Sequence, residues 1–185
     1  MKIKFLILSV LSTIAVLGIL PIPSSITQIE VSAAQTVTKF KTYVSPKIFS
    51  IQYPSAWNVD GTNRKYVMIT NYKPKLGGGT APANFVKTDI SFVSGSLETA
   101  FNRTISNSTD NYSTITKRER LTIGGRQALR LWITSSGFDF PDIVSTYIRY
   151  KNNETAVVSS FYTRSNSSAL GNIQRIHSSF RVIKY

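Results

Sequence analysis

Apolar positions along this chain fall into short runs with two periodicities, and the first clear run organises the rest. Ile48, Phe49, Ile51 and Tyr53 are β-formers, Pro54 has no N–H to continue a ladder, and Trp57 follows as a large apolar anchor. The segment predicts an opening strand, a stop and a core peg. Upstream, Val37, Phe40 and Tyr43 alternate with polar residues and predict an arm entering a first short strand. Downstream, Asp60-Gly61-Thr62-Asn63 is dense in turn residues, and Tyr66 to Tyr72 is rich in β-branched and aromatic side chains. A turn and a strand are expected there. Lys73 to Asn84, with Pro74, Gly77-Gly78-Gly79 and Pro82, reads as a loop, and Phe85 to Val93 alternates as the next strand.

The period then changes to that of a helix. Ser96 is an expected N-cap with Glu98 in the first turn, and Leu97, Ala100, Phe101 and Ile105 fall on one face, giving a helix to about Thr104 or Ser106. Four strand-like runs follow: Thr114 to Ile123, Ala128 to Ser135, Ile143 to Tyr150 and Thr155 to Thr163. Gly124-Gly125 turns the first into the second, and Lys151-Asn152-Asn153-Glu154 turns the third into the fourth. A two-residue loop at the glycines would mix polar with apolar residues on both faces. A three-residue loop, Gly124 to Arg126, pairs Leu121 with Leu129 and gathers Arg118, Arg120, Arg130 and Trp132 on the other face. The second register is the expectation. Asn166 or Ser165 caps a closing helix with the stripe Ala169, Leu170, Ile173, Ile176 and Phe180, and Arg181-Val182-Ile183 adds a last short strand. Adjacent strands joined by hairpins, interrupted and closed by helices, predict an α+β domain with helices packed on an antiparallel sheet. No internal repeat is visible.

The N-terminus changes the cellular picture. Lys2 and Lys4 precede an uncharged apolar run of 16 residues, Phe5 to Leu20, and Val31-Ser32-Ala33-Ala34 offers small residues for cleavage. Residues 1–34 are expected to be an export signal peptide, the run being shorter than the ~20 residues of a membrane-spanning helix, with a retained membrane anchor as the alternative. Removing them leaves 151 residues, 35–185, with a net charge of +12 against +13 for the full chain. That length fits one domain. With no cysteine, neither a lipid-modified N-terminal cysteine nor a disulfide is open to the chain. So cationic a protein is attracted to polyanions, and for an exported chain the expected partners are an acidic protein face of a membrane complex or an anionic membrane surface, with no nucleic acid. A monomer is expected.

Candidate chemistry is sparse. The Gly77-Gly78-Gly79 run is followed by a strand pattern and no Gly-Lys-Ser/Thr, so it does not read as a phosphate cradle. A serine hydrolase would have to use His177, the sole histidine, and no Gly-x-Ser-x-Gly occurs. No catalytic residue and no cofactor are assigned. One histidine and no cysteine do not make a zinc site. Calcium stays open, because backbone carbonyls can serve as ligands, with Asp139 and Asp142 the one close acidic pair. Five sequons, at Asn102, Asn107, Asn111, Asn153 and Asn166, matter only in a host that glycosylates exported proteins.

Four marks occur in order: Phe49-Ser50-Ile51-Gln52-Tyr53-Pro54 with Trp57, Asn84-Phe85-Val86-Lys87 entering a strand, Ile123-Gly124-Gly125-Arg126-Gln127-Ala128 turning a hairpin, and a terminal helix ending Ser178-Ser179-Phe180. Together they resemble the PsbP family over nearly all of the mature chain. The resemblance implies an α/β/α sandwich around a central antiparallel sheet, in a protein that acts without catalysis. Photosynthetic members are proteins of the thylakoid lumen that attach to photosystem II and assist its assembly or its oxygen-evolving centre. Others occur in non-photosynthetic organisms, including a nuclear-import factor. Some relatives bind zinc or calcium through histidines and carboxylates, a pattern this chain lacks.

The expectation is therefore an exported, non-enzymatic binding or assembly factor, in the thylakoid lumen or periplasm of a photosynthetic host. The alternative is a cell-surface or secreted protein of another host, using a cationic face on anionic polymer or lipid. An exported hydrolase is the third class. The residues expected to meet the partner are Lys117, Arg118, Arg120, Arg126 and Arg130, with Trp132 as apolar centre.

Overall fold

The computed structural model describes residues 38–73, 82–108, 112–136, 140–163, 166 and 168–183. Residues 1–34, expected to be an export signal, the Gly77-Gly78-Gly79 run, Asn111, Asp139 and Ser165 lie outside them. The described elements are β1 (Phe40–Ser45), β2 (Phe49–Pro54), β3 (Asn58–Asn63), β4 (Tyr66–Thr70), β5 (Val86–Ser94), α1 (Leu97–Ser108), β6 (Ser113–Ile123), β7 (Arg126–Ser135), β8 (Asp142–Lys151), β9 (Glu154–Tyr162), α2 (Ala169–Ser178) and β10 (Arg181–Val182). The architecture is the expected α+β class, mostly antiparallel sheet with two helices.

One central sheet was expected, and two are present, ordered β1-β2-β10 and β3-β4-β5-β9-β8-β7-β6. Pro54 explains the division. It ends the ladder of β2, the Trp57 N–H donates to the Pro54 carbonyl at 2.9 Å, and the chain reverses into β3 of the other sheet. The turn expected at Asp60-Gly61-Thr62-Asn63 lies inside β3, and the chain reverses at Arg64 and Lys65. Asp60 Oδ1 accepts hydrogen bonds from the Thr62 N–H at 3.2 Å and from the Thr62 hydroxyl at 2.8 Å. That turn chemistry produces an irregularity in an edge strand, where the register shifts between Asp60 and Asn63.

The largest buried cluster joins the two sheets. Phe49 and Ile51 of β2 pack with Val67, Ile69, Ile90, Ile148, Val158, Ile176 and Phe180. Phe49 is fully buried and stacks on Phe180, with ring centroids 5.3 Å apart. Trp57, expected as a core peg, is only half-buried and touches the margins of two clusters. The peg of this region is Phe49.

Ser96 caps α1 as expected, its Oγ accepting the Thr99 N–H at 3.2 Å. At α2 the cap differs: Ser168 holds the N-cap position without a side-chain cap bond. Asn166 instead uses its carbonyl to accept the Ala169 N–H at 3.1 Å and its side-chain amide to reach the Asn84 carbonyl at 2.9 Å. Alternate residues of the large sheet meet the two helices. Leu129, Leu131, Ile133, Tyr147 and Val157 cluster with Leu97, Ala100 and Phe101 of α1. Val86, Val144 and Tyr162 cluster with Ala169 and Ile173 of α2. Among the described residues no helix is long and apolar enough to cross a membrane.

Candidate functional site

The hairpin β6–β7 takes the register that sequence patterning disfavours. Ile123 pairs with Arg126 across a two-residue Gly124-Gly125 loop, and Leu121 pairs with Ala128 rather than Leu129. Both glycines have positive φ, 57° and 73°, which a tight two-residue turn requires and most side chains resist. Turn geometry outweighs face segregation because β6 is the outermost strand of its sheet, where polar side chains reach solvent on either face. A register shift between Ile115 and Lys117 then brings Ile115 opposite Ile133, against the α1 cluster.

This register divides the predicted patch. Arg118 pairs with Leu131 and Arg120 with Leu129, on the face that α1 covers further in. Lys117 pairs with Trp132 and Glu119 with Arg130, on the opposite face. Lys117, Arg118 and Arg120 are exposed, but Arg130 is 5% exposed. The Lys117 ammonium sits 4.4 Å from the centroid of the half-buried Trp132 ring. Arg126 is half-buried and holds the end of β8, its Nη1 donating to the carbonyls of Arg149 at 3.1 Å and Tyr150 at 2.7 Å. Of the six residues, Arg118 and Arg120 alone combine exposure with one shared face.

Arg130 belongs to a buried polar chain that crosses from the large sheet to α2. Its Nε donates to Thr146 Oγ1 at 2.8 Å. Thr146 Oγ1 lies 2.8 Å from His177 Nδ1, His177 Nε2 lies 2.8 Å from Ser160 Oγ, and Ser160 Oγ lies 2.7 Å from Thr88 Oγ1. Thr88, Thr146, Ser160 and His177 are fully buried. Either ring tautomer satisfies the contacts: with Arg130 donating to Thr146, either Thr146 donates to Nδ1 and Nε2–H to Ser160, or Nδ1–H donates to Thr146 and Ser160 to Nε2. Burial holds the His177 pKa well below its usual 6.5, and the nearby Arg130 charge adds to that depression. Burial also lowers the Arg130 pKa, with the Glu119 charge acting in opposition.

The chain therefore contains a Ser–His contact, with electrostatics opposite to those of a hydrolase. A nucleophilic serine needs an imidazole that accepts its proton and an anion that stabilises the imidazolium. Here the Thr146 hydroxyl meets Nδ1 where the carboxylate would stand, the guanidinium of Arg130 lies behind that hydroxyl, and Ser160 is closed to substrate. Among the described residues no group of three or more His, Asp or Glu is placed to hold a metal ion. Asp142 is buried and accepts a hydrogen bond from the Thr134 hydroxyl at 3.1 Å.

The concave feature of the α1 face is a cavity of about 330 Å³, absent from the sequence expectation. Ser91, Ser145 and Ser159, on the neighbouring strands β5, β8 and β9, place small hydroxyls where the adjoining cluster has bulky side chains. Ser145 and Ser159 share a hydrogen bond of 2.9 Å. Tyr147 closes one side, its hydroxyl donating to Thr104 of α1 at 2.7 Å, and burial pushes its pKa up. Exposed Arg103 of α1 also lines the cavity.

No family model and no curated protein matches the chain in sequence. Solved structures do match in fold. The solution structure of the cyanobacterial PsbP, CyanoP, from Synechocystis sp. PCC 6803 superposes with a TM-score of 0.51 at 10% identity, covering 83% of this chain and 99% of that one. A Bacteroides thetaiotaomicron protein gives 0.49 at 15% identity over 78% of this chain and 48% of its own. A Pseudomonas aeruginosa protein of unknown function gives 0.46 at 14% identity over 71% and 88%. The chain has a PsbP-like fold.

Proposed function

We propose that this chain is an exported, non-catalytic binding or assembly factor, a PsbP-like α/β/α sandwich that docks through exposed cations on an acidic face of a membrane-bound complex. Fold likeness does not assign a role by itself. The observation that carries the reading is the outer strand β6, where Arg118 and Arg120 are exposed on one face and take part in neither of the two ion pairs that form among the described residues. Those pairs occupy Glu154 with Lys65 at 2.6 Å and Asp89 with Lys87 at 2.8 Å, so two of the few acids are committed to other cations. The buried Ser–His contact, closed to substrate and set against a guanidinium, supports a role without catalysis. A charged edge strand also discourages sheet-to-sheet aggregation, a role that Arg118 and Arg120 would play with or without a partner.

The experiment is a pull-down of the mature chain from solubilised host membranes, beside sedimentation with anionic vesicles. Binding should weaken between about 0.1 M and 1 M salt, as the Debye length falls from roughly 10 to 3 Å. Replacing Arg118 and Arg120 by Ser should remove capture of the complex. Capture that is unchanged in the double variant and at high salt would overturn the reading, and co-sedimentation with bare vesicles at equal strength would transfer it to the lipid surface.

A further inference from the structure

We infer that the cavity between α1 and the large sheet is a binding site for a small amphiphilic anion, a medium-chain carboxylate by chemistry. Three observations converge on it. First, the space is built by sequence: serines at positions 91, 145 and 159 stand on three neighbouring strands at inward positions of the α1 face. In the adjoining cluster the same face carries Leu129, Leu131 and Ile133, which fill the space beneath the helix. Small residues in its place leave about 330 Å³, at the lower end of ligand pockets and suited to a fragment-sized molecule.

Second, the lining is divided. Val157, Ile133, Ile143 and Phe161 offer an apolar wall, while the serines and the Tyr147–Thr104 pair offer hydroxyls that can donate or accept. An apolar chain with one polar end fits such a lining. Third, the charge has one sign. Arg103 is the charged lining residue, it is exposed, and it is a member of neither ion pair among the described residues. Asp89 of β5 pairs across the ladder with Ser159 and is held 2.8 Å from Lys87 on its own strand. Lys87 pairs with one of its oxygens, while the other, Oδ1, is buried without a hydrogen-bond partner, and Asp89 is not part of the cavity lining. A carboxylate headgroup at Arg103 gains a charge-assisted hydrogen bond that an alcohol cannot match and an ammonium would be repelled from.

The test uses the ¹⁵N-labelled mature chain titrated with octanoate, 1-octanol and octylammonium. Octanoate should shift the backbone amides of Ser91, Ser145, Val157 and Ser159 and bind about tenfold or more tightly than octanol, with octylammonium weaker still. Arg103→Gln, a surface change, should bring octanoate to the octanol level. Ser145→Leu should fill the space and abolish both. Because a cationic protein also attracts anions at large, the Arg118→Gln/Arg120→Gln variant serves as control and should leave the octanoate shifts intact, whatever becomes of the docking surface on β6. The inference is overturned if those amides stay unmoved by octanoate, if octanol or octylammonium binds as well, or if Arg103→Gln leaves octanoate affinity unchanged.

Discussion

His177 supplies a test of the buried polar chain. Its folded pKa lies well below the 6.5 of a free imidazole, chiefly through burial and then through Arg130. Well above pH 6.5 the ring is neutral in both states and contributes no pH dependence. As pH falls below 6.5 the unfolded chain takes up a proton that the folded chain refuses, so stability is lost with falling pH until the folded pKa is reached. The loss approaches about 1.4 kcal/mol for each pH unit, equivalent to roughly 3–6 °C in Tm for a domain of this size. His177 is the sole histidine, and a variant that cannot protonate at this position isolates its share of the slope between pH 6.5 and about 5. Urea unfolding of residues 35–185 at half-unit steps from pH 7.5 to 5 measures it. His177→Gln, which keeps a donor and an acceptor but cannot protonate, should flatten the curve while losing about 1–3 kcal/mol at pH 7.5 from imperfect hydrogen bonding. A flat curve for the unaltered chain, or an equal slope in the Gln variant, would refute the assignment.

Three further outcomes are expected from chemical unfolding. Phe49→Ala should cost about 3–5 kcal/mol, because the side chain is fully buried against Phe180, and Trp57→Ala distinctly less; equal costs would show that Trp57 is the true peg. Gly124→Ala should destabilise more than Gly125→Ala, since both have positive φ but a Cβ at 124 would press on Arg181 and the Phe180 carbonyl, whereas 125 faces open space; a reversed order would contradict the two-residue turn. Gly61→Ala should cost about 1–3 kcal/mol by displacing the Tyr43 ring that lies against it, and pairing it with Tyr43→Ala should recover part of that loss; additive costs would deny the contact.

Periodicity revealed most elements because the segments concerned pack one face against a single neighbour. Phe85 to Val93 alternates and forms β5, and the Leu97-Ala100-Phe101 stripe forms α1 behind a Ser96 cap. Legibility failed where a local rule competed with a longer-range one. Gly61 reads as a turn residue, but its small size is used to admit Tyr43 against an edge strand. The Gly124-Gly125 hairpin failed differently: face segregation favoured one register and turn geometry the other, and at an exposed edge the turn prevailed. That single choice scattered the predicted cationic face. The cavity and the buried chain were illegible for a common reason, since an inward serine or threonine looks like any half-polar strand position until its cross-strand neighbours are known.

The two helix faces of the large sheet use hydroxyl side chains to opposite ends. Under α2, Thr88, Thr146 and Ser160 are consumed in a chain of hydrogen bonds with His177 and Arg130. These contacts are directional, so they favour one setting of α2 on the strands where apolar packing alone would tolerate sliding. The setting matters because β10 follows α2 directly and pairs with β2, carrying Phe180 onto Phe49. A polar chain near the sheet's centre is thereby linked to the joint between the two sheets. Under α1, Ser91, Ser145 and Ser159 meet space instead of a histidine, and two of them bond to each other. Filling that space with aliphatic side chains would stabilise the domain by ordinary burial. The open cavity is thus a feature the packing of the fold does not require.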